Sequence, residues 1–337
     1  MTEDLEYFER AVDAIRSANT EGLLNHERQA LAVDVLTGYS GNKLVGALQR
    51  LCRLFSGDTA ACYLEIGVFQ GLTLNSVACA NPEFPCFGVD NFAFFDPRQE
   101  NMAIVKARMA ALGNDNAQLI NSDYEDALSS LDCYLKGRKI GVYFIDGPHD
   151  YRSQLMCLEL ALPYLHERAI IVVDDSNYEH VRQANADFLR THSEWALLAQ
   201  AYTPAHPSNL DASRRKIAES GWWNGVNVLC RDPRFLISRE IPPTPRSRER
   251  FENDHLVHPH RMEPLVVECL EVADAFMTFS PGRTGRAIMS FFRKYKSSLQ
   301  KLGGFQAMNT YSERLVEFST ADMSPLATGR LPDSVDT

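Results

Sequence analysis

The chain has 337 residues, of which 45% are hydrophobic and 23% charged, and its net charge is −10. That length holds one large α/β domain with additions, and the composition is that of a globular protein. The acidic balance argues against generic nucleic-acid binding, and no apolar run is long enough to span a membrane.

Residues 3 to 55 read as helical. Leu5, Phe8, Val12 and Ile15 recur at helical spacing, the pattern returns from Lys43 to Phe55, and Gly38-Tyr-Ser-Gly41 breaks it. From Ala60 the period changes. Short β-rich runs at 62–67, 86–90, 117–122, 140–146, 169–174 and 195–202 alternate with helical stretches near 72–80, 100–113, 124–137, 151–165 and 177–192. Such alternation predicts a doubly wound, Rossmann-like α/β sheet. A seventh run, 225–230, follows a loop with no helix evident that is long enough for a crossover, so it is expected to be an antiparallel strand inserted beside its predecessor. Residues 241–264 are rich in proline, arginine and histidine and read as a linker or wrapping loop. Helices follow near 264–279 and 284–302. From about Ser319 the apolar period is lost, and a disordered tail is expected.

The eight cysteines contain no Cys-x-x-Cys pair, and most sit inside apolar runs. They read as reduced thiols of a cytoplasmic protein. The acidic, amphipathic start has no signal-peptide core.

The chemistry gathers at the ends of the β runs, where open α/β sheets bind ligands. Glu65-Ile-Gly67-Val-Phe69-Gln-Gly71 ends the first run and opens a helix. Its glycines let backbone approach a ligand, and the helix start offers free amides. Asp90 ends the second run about 20 residues later, where an acid can hold ribose hydroxyls. Together they predict a nucleoside-cofactor site. Asp123 is either a helix N-cap or an acceptor for an adenine amino group, and Tyr124 could stack on that ring. The fourth run ends in Asp146-Gly-Pro-His149 and the fifth in Asp174-Asp175. Three carboxylates and an imidazole on one rim make a plausible hard-metal site with a general base beside it. Ser176 and Glu179 fit a capping box for the next helix. Trp222, Trp223 and Asn224 form a glycine-flanked loop suited either to lining a ligand site or to covering the sheet edge. Residues 281–303 carry six basic and no acidic residues, leaving −16 for the remainder. Ile288, Phe291, Phe292, Tyr295, Leu299 and Leu302 form an apolar stripe there, which suits docking on the acidic domain or on a partner subunit.

Over about 63–231 the sequence resembles the class I S-adenosylmethionine-dependent methyltransferases, and most of all the bacterial metal-dependent small-molecule and sugar O-methyltransferases. Glu65 to Gly71 is similar to the glycine-rich first motif, Gly88-Val-Asp90 to the ribose-binding acid, and the Asp146–His149 and Asp174-Asp175 segments to the fourth and fifth strand ends. The resemblance implies that Glu65, Gly67, Phe69 and Gly71 border the methionine part of S-adenosylmethionine. It places Asp90 and Asn91 at the ribose, and Asp123 and Tyr124 at the adenine, with Asp146 also beside the cofactor. It implies Mg²⁺ on Asp146, Asp174 and Asp175, and His149 as base. Catechol-type relatives have Asn after the last metal carboxylate, whereas this chain has Ser176.

The expected organisation is an N-terminal helical region (1–58), a methyltransferase domain (59–240), a helical C-terminal extension (241–318) and a tail (319–337). A small-molecule acceptor, no nucleic acid or membrane partner, and a homodimer or larger homo-oligomer are expected with it. The competing readings are an NAD-dependent oxidoreductase, which Val68 and Phe69 in the glycine loop disfavour, and a catalytically silent scaffold.

Overall fold

The computed structural model describes residues 2–204, 206–207, 210–244, 265–303 and 315–323. Strands β1 (Ala61–Ile66), β2 (Cys86–Asp90), β3 (Ala117–Asn121), β4 (Lys139–Ile145), β5 (Leu165–Val173), β6 (Trp195–Ala201), β7 (Val226–Arg231) and β8 (Phe318–Thr320) form one sheet in the order β3-β2-β1-β4-β5-β7-β6-β8. The first five strands pair in parallel, and β7 enters antiparallel between β5 and β6, as expected.

The central strands are buried on both faces, which is why they read as continuous apolar runs rather than alternating ones. Side-chain parity then divides the core in two. Tyr63, Val142, Phe144, Ile170 and Val172 meet helices α1 (Thr2–Glu21), α3 (Asn42–Arg53) and α4 (Leu72–Ala80) on one face. Leu64, Tyr143, Ile145, Ile171 and Val173 meet α6 (Tyr124–Ser129), α8 (Tyr151–Ala161) and α9 (Glu179–Thr191) on the other. Helices α2 (Gln29–Val35), α5 (Asn101–Leu112), α7 (Asp132–Leu135) and α10 (Ala212–Ser220) complete this part. The single helix expected over 124–137 is split into α6 and α7. Ser130 interrupts it, its hydroxyl bonding back to the carbonyl of Asp126 at 2.8 Å.

Two expectations need correction. The sheet has eight strands rather than seven, because residues expected to begin a disordered tail form β8. Phe318–Thr320 pairs antiparallel with β6, and Met323 bridges to Ile237. The signal is too short for periodicity to register: three half-buried residues cover an edge, and only the next one, Ala321, is well buried. Second, Ser176 does not cap α9. Its hydroxyl donates to the carbonyl of Val173 at 3.1 Å, and the helix starts after Tyr178. The linker expected at 241–264 lies outside the described residues from 245 onward, as does the tail beyond 323. Helices α11 (Val266–Met277) and α12 (Pro281–Gly303) form an antiparallel hairpin near the expected positions. No described helix is long and apolar enough to cross a membrane.

Trp222 joins the N-terminal helix to the edge of the sheet. It is 4% exposed, its Nε1 donates to Asn19 Oδ1 at 2.9 Å, and its ring stacks on Phe318 at 5.8 Å between centroids. Trp222→Ala should destabilise the fold by about 3–5 kcal/mol, as buried aromatic truncations do. Urea unfolding checks this, and a loss below about 1 kcal/mol would show that Trp222 is not part of the core.

Candidate active site

Strand register builds the site. Ile66 pairs with Val89 on one side and with Ile145 on the other, and Ile145 pairs with Val173. The residues that follow, Gly67, Asp90, Asp146 and Asp174, therefore emerge along one rim. Strand order reverses between β1 and β4, so this is the topological switch point where open α/β sheets take ligands.

Gly67 has φ +88°, and a Cβ there would collide with the carbonyl of Asp146. Only glycine lets the first loop lie this close to the fourth strand. Phe69 and Gly71 also have positive φ, and Gly71 is the N-cap of α4. Asp90 organises this loop: its Oδ2 accepts from the amides of Val68 and Phe69 at 2.9 and 2.8 Å, and its Oδ1 from Phe92 at 2.7 Å. Of the two oxygens, Oδ1 keeps the freer lone pair for a ribose hydroxyl.

Glu65, expected beside the cofactor, is fully buried. It accepts from Tyr63 at 2.7 Å and from Thr73 at 3.2 Å, so it supports the loop from below instead of facing the cleft. Burial pushes its pKa up to about 8 against the hydrogen bonds of Tyr63 and Thr73. Asp123 is the N-cap of α6, accepting from Glu125 N at 2.9 Å, while its other oxygen accepts from Asn91 at 3.4 Å. Its capping role and a place near Asn91 thus coexist. Tyr124, next in sequence, is half-buried and bonds Glu125 at 3.0 Å.

The carboxylates behave differently from one another. Asp146, His149 and Asp175 each offer a ligand atom within 4.8 Å of the others. Among the described residues this group leaves out Asp174. The reason is local. Asp175 takes φ +54°, which turns the chain, and Asp174 Oδ1 accepts from the Asp175 amide at 2.8 Å. Asp175 is held by His149 Nε2 at 2.7 Å and by the Asn224 amide at 2.6 Å. These contacts offset the strain of its left-handed backbone, which is on the order of 1–2 kcal/mol.

Burial raises the pKa of Asp146 well above the carboxylate range, and Asp174 and Asp175 raise it further. Burial and Asp175 do the same to Asp174. At Asp175 burial also pushes upward, but His149 outweighs it and the pKa falls. At His149 burial pulls downward, and Asp175 outweighs it, so the pKa rises. Crowded buried carboxylates call for a proton or a cation to neutralise them. Asp146 and Asp175 offer oxygen ligands that fit a hard divalent ion, with the His149 imidazole within the same reach.

Several supporting residues carried no motif. Arg182, 1% exposed, donates to the carbonyls of Ser176 and Asn177 at 2.8 and 2.5 Å and fixes the loop that carries Asp175. Tyr178 stacks on His149 at 5.4 Å. His206 follows β6 and lies close enough to Asp175 and His149 for their charges to act on it. Its place beyond a strand end was the one available signal. At the mouth, Tyr39 stacks on Phe69 at 5.2 Å and lies 6.0 Å from Trp223. Of the three residues expected to line an acceptor site, then, Trp223 reaches the rim, Asn224 holds Asp175 from within, and Trp222 is in the core.

Glu65 generates a pH prediction. Its folded pKa lies above its unfolded value, so between about 4.5 and 8 the folded protein holds a proton that the unfolded chain releases. Its contribution to stability is therefore full below pH 4.5 and is lost as pH rises toward 8. Against Glu65→Gln, the wild type should lose up to about 1.4 kcal/mol per pH unit across that window. Denaturant unfolding at pH 5 and 8 measures it, and parallel pH profiles would contradict the assignment.

Residues 64–176 match a family model described as a methyltransferase domain. No curated protein matches. Similar solved structures include cofactor-bound Rv0187 from MTB, 17% identical over 66% of this chain and 96% of that one, with a TM-score of 0.43. An O-methyltransferase from Bacillus cereus in complex with SAH is 13% identical over 67% of this chain and 91% of its own, with a TM-score of 0.41. The O-methyltransferase TomG from Streptomyces achromogenes, in complex with SAM, is 16% identical over 66% and 96%, with a TM-score of 0.45. Residues 64–176 thus match a methyltransferase-domain model, and they lie on a doubly wound, Rossmann-like α/β sheet.

Proposed function

We propose that the chain transfers a methyl group from S-adenosylmethionine to a hydroxyl of a small molecule, a sugar or a phenolic natural product. The observation that carries this is the Asp146–His149–Asp175 cluster on the same rim as the Gly67–Gly71 loop. The donor would lie over that loop, with its ribose on Asp90. The acceptor would enter past Tyr39 and Trp223 and present its hydroxyl to the cluster.

The acceptor oxygen attacks the methyl carbon, a C–O bond forms, and the S–C bond breaks with its electron pair going to sulfur. S-Adenosylhomocysteine leaves, and the hydroxyl proton must go to a base. His149 is oriented for that task. Asp175 holds its Nε2, Asn224 holds Asp175, and Tyr178 supports the ring, so Nδ1 remains to take the proton. A divalent cation held by Asp146 and Asp175 would polarise the acceptor oxygen as a Lewis acid. Asp174 adds negative charge beside Asp146. Alignment of the oxygen with the S–CH₃ bond falls to the rigid loops around it.

The test separates the two halves of the site. Asp175→Ala and His149→Ala should lower transfer to responsive members of a sugar-nucleotide and phenol panel by about 10²–10⁴-fold while sparing S-adenosylhomocysteine binding. Asp90→Ala should weaken that binding. EDTA should abolish transfer in the wild type, and Mg²⁺ or Mn²⁺ should restore it. Equal loss of cofactor binding in the Asp175 and Asp90 variants would sink the division of roles, and full transfer in EDTA would remove the cation from it.

A further inference from the structure

Helices α11 and α12 pack on each other, and no other described element packs extensively against either. Their more buried positions are Leu265, Val272 and Ala275 on one side and Ala287, Phe291 and Tyr295 on the other. The outer faces are apolar as well. On α11, Val266, Leu270, Ala273 and Met277 recur at helical spacing, and Val266, Leu270 and Met277 are 51%, 63% and 73% exposed. On α12, Met289 and Phe292 are 64% and 59% exposed. A helix apolar on both sides is one that expects cover on both.

Charge says what the cover is. The only charged residues of α11 are the acids Glu268, Glu271 and Asp274, whereas every charged residue of α12 is basic. Within the hairpin Lys294 pairs with Glu268, and Arg283 with Asp274 at 3.0 Å. Glu271 on α11 and Arg286, Arg293 and Lys296 on α12 make no ion pair among the described residues. A surface with an acidic and a basic half beside one apolar stripe is complementary to itself under a two-fold rotation, because each acidic half then meets a basic half. An anionic lipid surface would suit α12 alone and repel α11.

We infer that the α11–α12 hairpin is a homodimerisation element, joining a second copy of this chain in a four-helix bundle with α11 of one copy against α12 of the other. The helices are amphipathic on two faces, as the inner elements of such bundles are. The hairpin lies outside the catalytic rim, so the inference does not depend on the methyl acceptor.

Sedimentation velocity on the full chain tests it. The wild type should sediment at twice its 37.9 kDa mass at micromolar concentration. Leu270→Glu with Phe292→Glu should give the monomer while S-adenosylhomocysteine affinity stays unchanged, which excludes global unfolding. Glu271→Lys, a surface change that leaves the apolar stripe intact, should raise the dimer dissociation constant several-fold at low salt. A monomeric wild type, or a dimer of the same mass in the double variant, would overturn the inference. So would a wild-type monomer that floats with phosphatidylserine vesicles, since that would assign the same face to lipid.

Discussion

The contact between Gly67 and the carbonyl of Asp146 is the constraint on which the site depends. It exists because β1 and β4 are neighbours in parallel register, and because residue 67 has no Cβ. The same register brings the ends of β2 and β5 to the same height. The glycine loop, Asp90 and a crowded set of carboxylates thus share one rim. Any side chain at position 67 would push the loop off the strand and separate the two halves.

That rim carries an electrostatic load which the fold supports from outside. Burial and Asp174 push Asp146 toward the protonated form, burial and Asp175 do the same to Asp174, and Asp175 is kept ionised by His149. Buried carboxylates this close are unfavourable for folding alone. The surroundings offset the cost through Arg182 on the loop carbonyls, Asn224 on Asp175 and Tyr178 behind His149. Such tension is expected where a cation or a transferring proton is to be received.

Much of this was legible in the sequence. The β-α alternation, the antiparallel seventh strand, and the positions of Gly67, Asp90, Asp146, His149 and Asp175 all follow from strand ends and spacing. What was not legible depends on single backbone torsions or distant partners. Asp174 and Asp175 look equivalent in sequence, and a positive φ at Asp175 separates them. Trp222 and Trp223 are adjacent, yet one packs on Asn19 and Phe318 and the other lies at the mouth. Ser176 and Glu179 have capping-box spacing, but the hydroxyl has a nearer carbonyl in Val173. Strand β8 gains its structure from the edge of β6, which a three-residue window cannot reveal.

The most direct test is a calorimetric titration with S-adenosylhomocysteine, run once with Mg²⁺ and once with EDTA. Micromolar binding under both conditions is the predicted result, because the proposed donor site uses the loop and Asp90 and needs no cation. No binding under either condition would contradict the assignment of that rim to S-adenosylmethionine.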